Sequence, residues 1–323
     1  MTVRSDRLSS VQSVGLAIIG AVLAGALVHS WYTGHPEEWS DFDQIWLGAR
    51  ALTQGLNPYV TVPKEFPWPL LYPLPAVLFG LPLAALPVDF ARVAFAMFTG
   101  GLCTWAVLRR RSHAWPLLLS GPFVYALARG QWSPLFVVGM LYPALSGVVA
   151  AKPSSGLALL AYRPNRALFI GAAILVAVSL ALLPRWPLDW LSQLSGNRHI
   201  VPVVTLPFGV VLLLALIKWR LPEGRVFGAL IVVPQTVAMY ELLPLMLIPR
   251  TLRQSLVLAL AWDVVFFGSH PRGAWVPATV PDPFVPSSWP VLLLAGYLPA
   301  LVLLLRDRAQ KPLGQGTGGE RAE

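Results

Sequence analysis

Two carboxylates stand two residues apart in SDFDQIWLGARALTQGLNPY, the stretch from Ser40 to Tyr59 that interrupts an otherwise apolar chain. Asp41 and Asp43 are residue types that take a proton from an attacking hydroxyl, and a positioned general base contributes roughly 10²- to 10⁴-fold to a rate. An exposed aspartate has a pKa of about 3.9 and is a weak base until desolvation raises it. The chemistry therefore needs these acids at the mouth of a sheltered cavity. The same residues also have a structural use: Asp41 can cap the helix that follows, with Gln44 as its capping-box partner, and Asp43 can be a solvated first-turn acid. The pattern fits both uses. A further acid, Asp263 in LAWDVVFFG, sits within an apolar run, where an ionisable residue is a functional candidate by position alone.

The elements that must position these groups are read from composition. Of the 323 residues, 56% are hydrophobic and only 12% charged, about half the charged fraction of a soluble domain, and the mean hydropathy is +0.63. Apolar runs recur at lengths near the roughly 20 residues that span a bilayer as a helix. They are apolar on every side, unlike the alternating strands of a membrane barrel. The fold class is all-α, a polytopic integral membrane protein. The net charge of +9 does not imply nucleic acid, because the basic residues sit in short clusters between apolar runs: Arg109 to Arg111, Arg163 with Arg166, Lys218 with Arg220 and Arg225, and Arg306 with Arg308. Such clusters mark cytoplasmic loops. Cys103 is the only cysteine and reads as a small buried hydrophobe. The five histidines show no ligand spacing, so no structural metal is assigned.

Arg4 and Arg7 precede an apolar run from Val14 to about Trp31, read as a first transmembrane helix with a cytoplasmic N-terminus. An external loop follows over residues 33–68, within which Phe42, Ile45, Trp46, Ala49 and Leu52 share one helical face. This predicts a helix lying along the outer membrane surface, ended by Gly55 and an Asn57-Pro58 turn. Further apolar runs cover residues 69–87, 90–108, 114–128, 131–162, 167–184, 201–217, 226–249, 254–269 and 290–305. Residues 1–305 make one transmembrane domain of about nine to eleven transmembrane or re-entrant helices, and 306–323 a disordered cytoplasmic tail. If every run crossed once, Arg109 to Arg111 would fall outside, against the charge rule. Some Pro-broken run must therefore be re-entrant, with YPLPAVLFGLPLAALP, SGPFVYALARGQWSP, VVAAKPSSG and VVPQTVAMYELLP the candidates. Irregular backbone at membrane depth needs protein or a watery cavity around it.

DFDQIWLGARALTQGLNPY, YPLPAVLFGLPLAALP, RGQWSPLF, SGVVAAKPSSGLALLAYRP and PQTVAMYELLPLMLIP occur in this order over about residues 12–250. This succession resembles glycosyltransferase family 87, membrane enzymes of the GT-C type that use polyprenyl-phosphate sugars, mannosyltransferases among them. Two departures stand out: Tyr72-Pro73-Leu74-Pro75 carries leucine where the family often has proline, and the chain is short for the family. The resemblance implies an inverting transfer of a mannose-like or other sugar from a polyprenyl-monophosphate donor to a lipid-linked or glycan acceptor. It also implies a bacterial cell membrane, with the site on the extracytoplasmic face. The family's acid after the first transmembrane helix falls on Asp41, with Asp43 its close competitor. The departing phosphate needs a cation, for which Lys152 in AAKPSS is the first candidate and Arg129 with Gln131 in ARGQW the second. Tyr59, Tyr72, Tyr240 and Glu241 are candidate substrate contacts, and His199 a candidate on the acceptor side. No cofactor is firmly implied; a divalent cation enters only as the companion of a substrate phosphate. The partners are the donor, the acceptor and membrane lipids, with no nucleic acid.

Two other classes fit the same hydropathy. A transporter or flippase of lipid-linked saccharides also needs a Pro-broken cavity, but commonly shows repeated halves and midplane charges. This chain shows no internal repeat and gathers its acids in the first loop. A non-catalytic subunit of an envelope-assembly complex is distinguished by an Asp41→Ala variant that keeps function.

Overall fold

The computed structural model describes residues 9–194, 200–235, 238–268 and 289–307. His199, most of the connection before Trp289 and the tail after Asp307 lie outside them. Every regular element among the described residues is helical. In chain order the helices are α1 (Ser10–Gly34), α2 (Asp41–Thr53), α3 (Pro58–Glu65), α4 (Leu74–Leu78), α5 (Val88–Arg110), α6 (Gly121–Ala128), α7 (Ser133–Leu141) and α8 (Pro153–Tyr162). They continue as α9 (Arg166–Leu182), α10 (Trp186–Leu194), α11 (Pro202–Thr205), α12 (Pro222–Val232), α13 (Ala238–Glu241), α14 (Leu252–Gly268) and α15 (Trp289–Arg306). Tighter 3₁₀ turns join several of them, notably Ser112–Leu119, Pro143–Ala151 and Gly209–Lys218.

Helices α1, α5 and α15 are long and apolar enough to cross a membrane, and α9 with α10, bent by 100° where they meet, makes a fourth if the pair is one span. The outer surface is correspondingly apolar. In α9 only Leu168 and Ser179 are buried, while Phe169, Ile170, Ile174 and Val178 stand exposed. Water would penalise such a surface and lipid does not. The chain is an all-α membrane protein.

Prolines account for the short segments. They occupy the first turn of α3, α4, α6, α7, α8, α11 and α12, where the missing N–H is one a helix start leaves unpaired anyway. The long apolar run 131–162 is thereby cut into α7, Pro143–Ala151 and α8.

Helices α1 and α5 pack along their length through small residues, which let backbones approach. A Cβ on Gly101 would lie 2.8 Å from the Ala21 Cβ, whereas one on Gly15 would meet nothing within 4 Å. Gly101→Leu is therefore expected to destabilise the protein by about 1–3 kcal/mol through overpacking, and Gly15→Leu to leave it unchanged, as read from unfolding midpoints in detergent.

Polar contacts collect at two ends. At one, Arg92 of α5 reaches Asp43 of α2, the Tyr32 hydroxyl of α1 donates to the Ala128 carbonyl, and Asn57 donates to Asp189 of α10. At the other, Glu223 pairs with Arg111 and Arg250, Lys218 donates to the Asp307 carbonyl, and Arg225 donates to the carbonyls of Ala161 and Tyr162. The Arg109–Arg111 cluster thus groups with the other basic connections, on the end away from Asp41. The run YPLPAVLFGLPLAALP has both of its ends at one helix. It begins beside α2, where the Leu71 N–H donates to Gln44 at 3.1 Å, and ends beside α2, where the Trp46 indole donates to the Leu86 carbonyl at 3.1 Å. One expectation needs correction: α2 does not lie along a surface. Its predicted face is buried (Phe42, Ile45, Trp46, Ala49), but so are Asp43, Gln44, Gly48 and Ala51, because α3, α4 and α5 enclose it.

Candidate functional site

The site begins at the first turn of α2. Ser40, not Asp41, is the N-cap: its hydroxyl accepts the Phe42 N–H at 3.1 Å, and Asp43 returns the bond by accepting the Ser40 N–H at 2.7 Å. This is a capping box, and it corrects the expected pairing of Asp41 with Gln44. Gln44 instead receives the Leu71 N–H. Asp41 takes the first helical position, its carboxylate not engaged by the cap. Its N–H, one of the donors a helix start leaves over, reaches the Arg129 carbonyl at 3.1 Å.

Asp43, the competing base, is fully enclosed at 0% exposure. Its two oxygens accept from Arg92 Nε at 2.8 Å and Arg92 Nη2 at 2.6 Å. Burial pushes its carboxyl above the ordinary range, with the Arg92 hydrogen bonds and charge opposing that shift. Such a group holds a helix in place and has no face turned to a substrate.

The segment from Arg129 to Gln131 comes against α2 because Gly130 sits there. Its φ is +63°, and a Cβ would lie 2.5 Å from the Phe42 Cβ, so both conformation and approach demand glycine. The Gln131 side chain then bridges two candidates: its Nε2 donates to Asp41 Oδ2, and its Oε1 accepts from Lys152 Nζ at 3.2 Å. Lys152 also pairs with Glu241 at 2.6 Å and stands 5.0 Å from the centre of the Tyr240 ring. One chain of contacts, Asp41 to Gln131 to Lys152 to Glu241, therefore joins residues from α2, the α6–α7 turn, the start of α8 and α13. Gly130→Ala is expected to lower stability by about 1–3 kcal/mol and to part Gln131 from Asp41, reducing whatever activity Asp41 supports by more than the folded fraction falls; activity per folded molecule checks this.

This chain of contacts borders a cavity of about 280 Å³ whose lining includes Asp41, Gln44, Tyr72, Lys152, Ser154, Trp190, Tyr240 and Glu241. Its mixture of aromatic faces and convergent polar groups is the usual make-up of a small-molecule site. Gln131, 1% exposed, braces the cavity from behind.

Of the residues singled out from sequence, Asp41, Gln131, Lys152, Tyr72, Tyr240 and Glu241 come together here. Arg129 does not: its side chain pairs with Glu38 at 3.3 Å, which also accepts from the Trp31 indole, and only its carbonyl serves the site. Tyr59 lies behind the wall, its hydroxyl donating to the Tyr72 carbonyl at 3.1 Å. Asp263 accepts the Gly121 N–H at 2.7 Å at the start of α6, a capping role. His199 is outside the described residues. Sequence reasoning missed Trp190, whose indole donates to the Leu71 carbonyl at 2.9 Å, and Ser154, which sits in the quoted AAKPSS beside Lys152. Among the described residues no three His, Cys, Asp or Glu side chains gather as a metal site would require.

Fold and site together define an all-helical membrane protein with a polar, aromatic-lined cavity at the end opposite its basic connections. No protein-family model matches the chain, and no curated protein or solved structure is similar enough to count as a match.

Proposed function

We propose that the protein is a membrane glycosyltransferase of the GT-C type, moving a sugar from a polyprenyl-monophosphate donor to a lipid-linked or glycan hydroxyl, with inversion. The observation that carries this reading is that Asp41 and Lys152, a candidate base and a candidate phosphate partner, are held by the two ends of one Gln131 amide at the wall of one cavity. In this reading the acceptor hydroxyl attacks the anomeric carbon, a new carbon–oxygen bond forms, and the hydroxyl proton passes to Asp41. The bond from the anomeric carbon to the phosphate oxygen breaks, its electron pair leaves with the lipid phosphate, and Lys152 stabilises the charge that develops there. Tyr72, Tyr240 and Trp190 offer aromatic faces for the sugar ring, and Glu241 accepts from its hydroxyls or from Lys152. In this reading the basic end faces the cytoplasm, as the charge rule favours, and the cavity opens on the extracytoplasmic side of a bacterial cell membrane.

The test is transfer by purified protein in nanodiscs, from a panel of radiolabelled polyprenyl-phosphate sugars to total membrane lipid. Transfer from one donor class supports the enzyme. No transfer from any donor, together with movement of lipid-linked saccharide across reconstituted vesicles, replaces it with a transporter. Lys152→Met is expected to reduce kcat/KM by roughly 10- to 100-fold, the effect of losing a hydrogen bond to a charged group. Because that change strands Glu241, the Lys152→Met, Glu241→Gln double variant is the cleaner probe. It should regain the unfolding midpoint and not the activity; recovery of both would remove Lys152 from the chemistry.

A further inference from the structure

The cavity at α2 holds polar groups that the fold itself does not use. Gln44 follows Asp41 by one turn on the same face of α2, a spacing that puts two Cβ atoms about 5–6 Å apart, and both residues line the cavity. The Gln44 side-chain oxygen accepts the Leu71 N–H at 3.1 Å. Only the oxygen of an amide can meet an N–H, so this bond fixes which way the amide is turned. Leu71 is held from its other side too, its carbonyl accepting the Trp190 indole at 2.9 Å. Gln44 Nε2, with two N–H groups, has no partner among the described residues, although Gln44 is only 2% exposed. Buried donors are normally met, and this one borders the cavity.

Tyr240 repeats the pattern: it is buried, it lines the same cavity, and its hydroxyl donates to nothing among the described residues. Asp41 supplies the opposite need. Gln131 meets its Oδ2, and Oδ1 accepts nothing among the described residues. An acceptor and a donor thus stand side by side on one face of α2. Because Asp41 is negative, a second anion beside it is unfavourable, and the ligand group here is neutral. It must give a hydrogen bond to Asp41 and take one from Gln44 close by. A hydroxyl can do either, and two hydroxyls on adjacent carbons do both.

We infer that the acceptor presents a vicinal diol of a sugar ring to α2: one hydroxyl gives its proton to Asp41, and Gln44 Nε2 donates to the oxygen of its neighbour. Gln44 is then a specificity-determining residue. A ring without the second hydroxyl leaves the amide stranded, which is how a site built to hydrogen-bond a hydroxyl rejects an analogue that lacks it. The inference rests on the sugar-transfer reading for which hydroxyl reacts, while the contact at Gln44 concerns binding and is measured apart from transfer.

Saturation-transfer NMR of the whole protein in nanodiscs, titrated with the methyl glycosides of mannose, glucose, galactose and arabinose as acceptor mimics, tests this. At least one should bind, and removing one particular hydroxyl from it should weaken binding to wild type roughly 3- to 10-fold, the net effect of one neutral hydrogen bond. That penalty should vanish in Gln44→Met, while the penalties for the other monodeoxy forms persist. Gln44→Met also takes the acceptor from the Leu71 N–H, but a purely structural effect of that loss weakens the parent and every analogue alike. Gln44→Glu, which keeps an oxygen for Leu71 and cannot donate when ionised, carries the same comparison if the methionine variant does not fold. Binding of no glycoside, or the same proportional loss for parent and all deoxy forms, overturns the assignment. Selective binding without transfer from any donor keeps Gln44 in its place and removes the enzyme instead.

Discussion

Asp41→Asn is expected to lower sugar transfer by roughly 10²- to 10⁴-fold, the contribution of a positioned general base, while leaving the unfolding midpoint where it is. The structural part of this expectation follows from the first turn of α2. The cap there is Ser40 with Asp43, so asparagine at position 41 removes no cap. Its carbonyl oxygen still accepts from Gln131 as Asp41 does now, and the backbone bond to Arg129 is untouched. What disappears is the ability to accept a proton. The variant therefore separates a chemical role from a structural one at a single position. Full activity in Asp41→Asn would place the base elsewhere, and a lowered midpoint matching the loss of activity would return Asp41 to a purely structural residue. Substrate binding should survive, so KM for the donor is expected to move far less than kcat.

Much of this arrangement was legible in the chain. The helical period after Asp41 and the Gly55 stop were read from residue types and order, and Asp41, Gln131, Lys152, Tyr240 and Glu241, which the structure brings together, were each named there as separate candidates. The structure brings both ends of YPLPAVLFGLPLAALP beside α2, a feature that its prolines alone did not distinguish among four such runs. The capping box could have been read too, since Ser40 and Asp43 have its spacing; Asp41 drew the assignment because aspartate is an equally good cap. Arg92 was not legible at all. It sits within an apolar run, 49 residues from its partner, and no local pattern distinguishes a buried guanidinium that anchors a helix from one that marks an interface. The same limit hid Trp190, which reaches the site only because α10 folds back at 100° from α9.

That unread pair carries the second large effect. Asp43→Asn is expected to destabilise the protein by about 3–5 kcal/mol, as does breaking a buried ion pair by removing one partner. Asp43 is 0% and Arg92 7% exposed, and the two share a bidentate contact. With Asp43 neutral, the guanidinium keeps its place 4.0 Å from the centre of the Tyr32 ring, and its remaining carboxylate partner is Asp89, itself 69% exposed. An exposed pair contributes about 0–1 kcal/mol, too little to offset the buried cation. Arg92→Met alone strands the aspartate instead. The double variant, neutral at both positions, should be more stable than either single one, so the two costs should be strongly non-additive in a denaturant cycle; additive costs would show that the pair is not coupled. The consequence reaches the cavity, because Arg92 ties α5 to the same helical turn that presents Asp41, and α1 joins through Tyr32. Activity per folded molecule should fall modestly in Asp43→Asn and collapse in Asp41→Asn. Two acids separated by one residue thus differ in place: the buried one orients the helix, and the other stands at the cavity wall, where the proposed reaction needs its base.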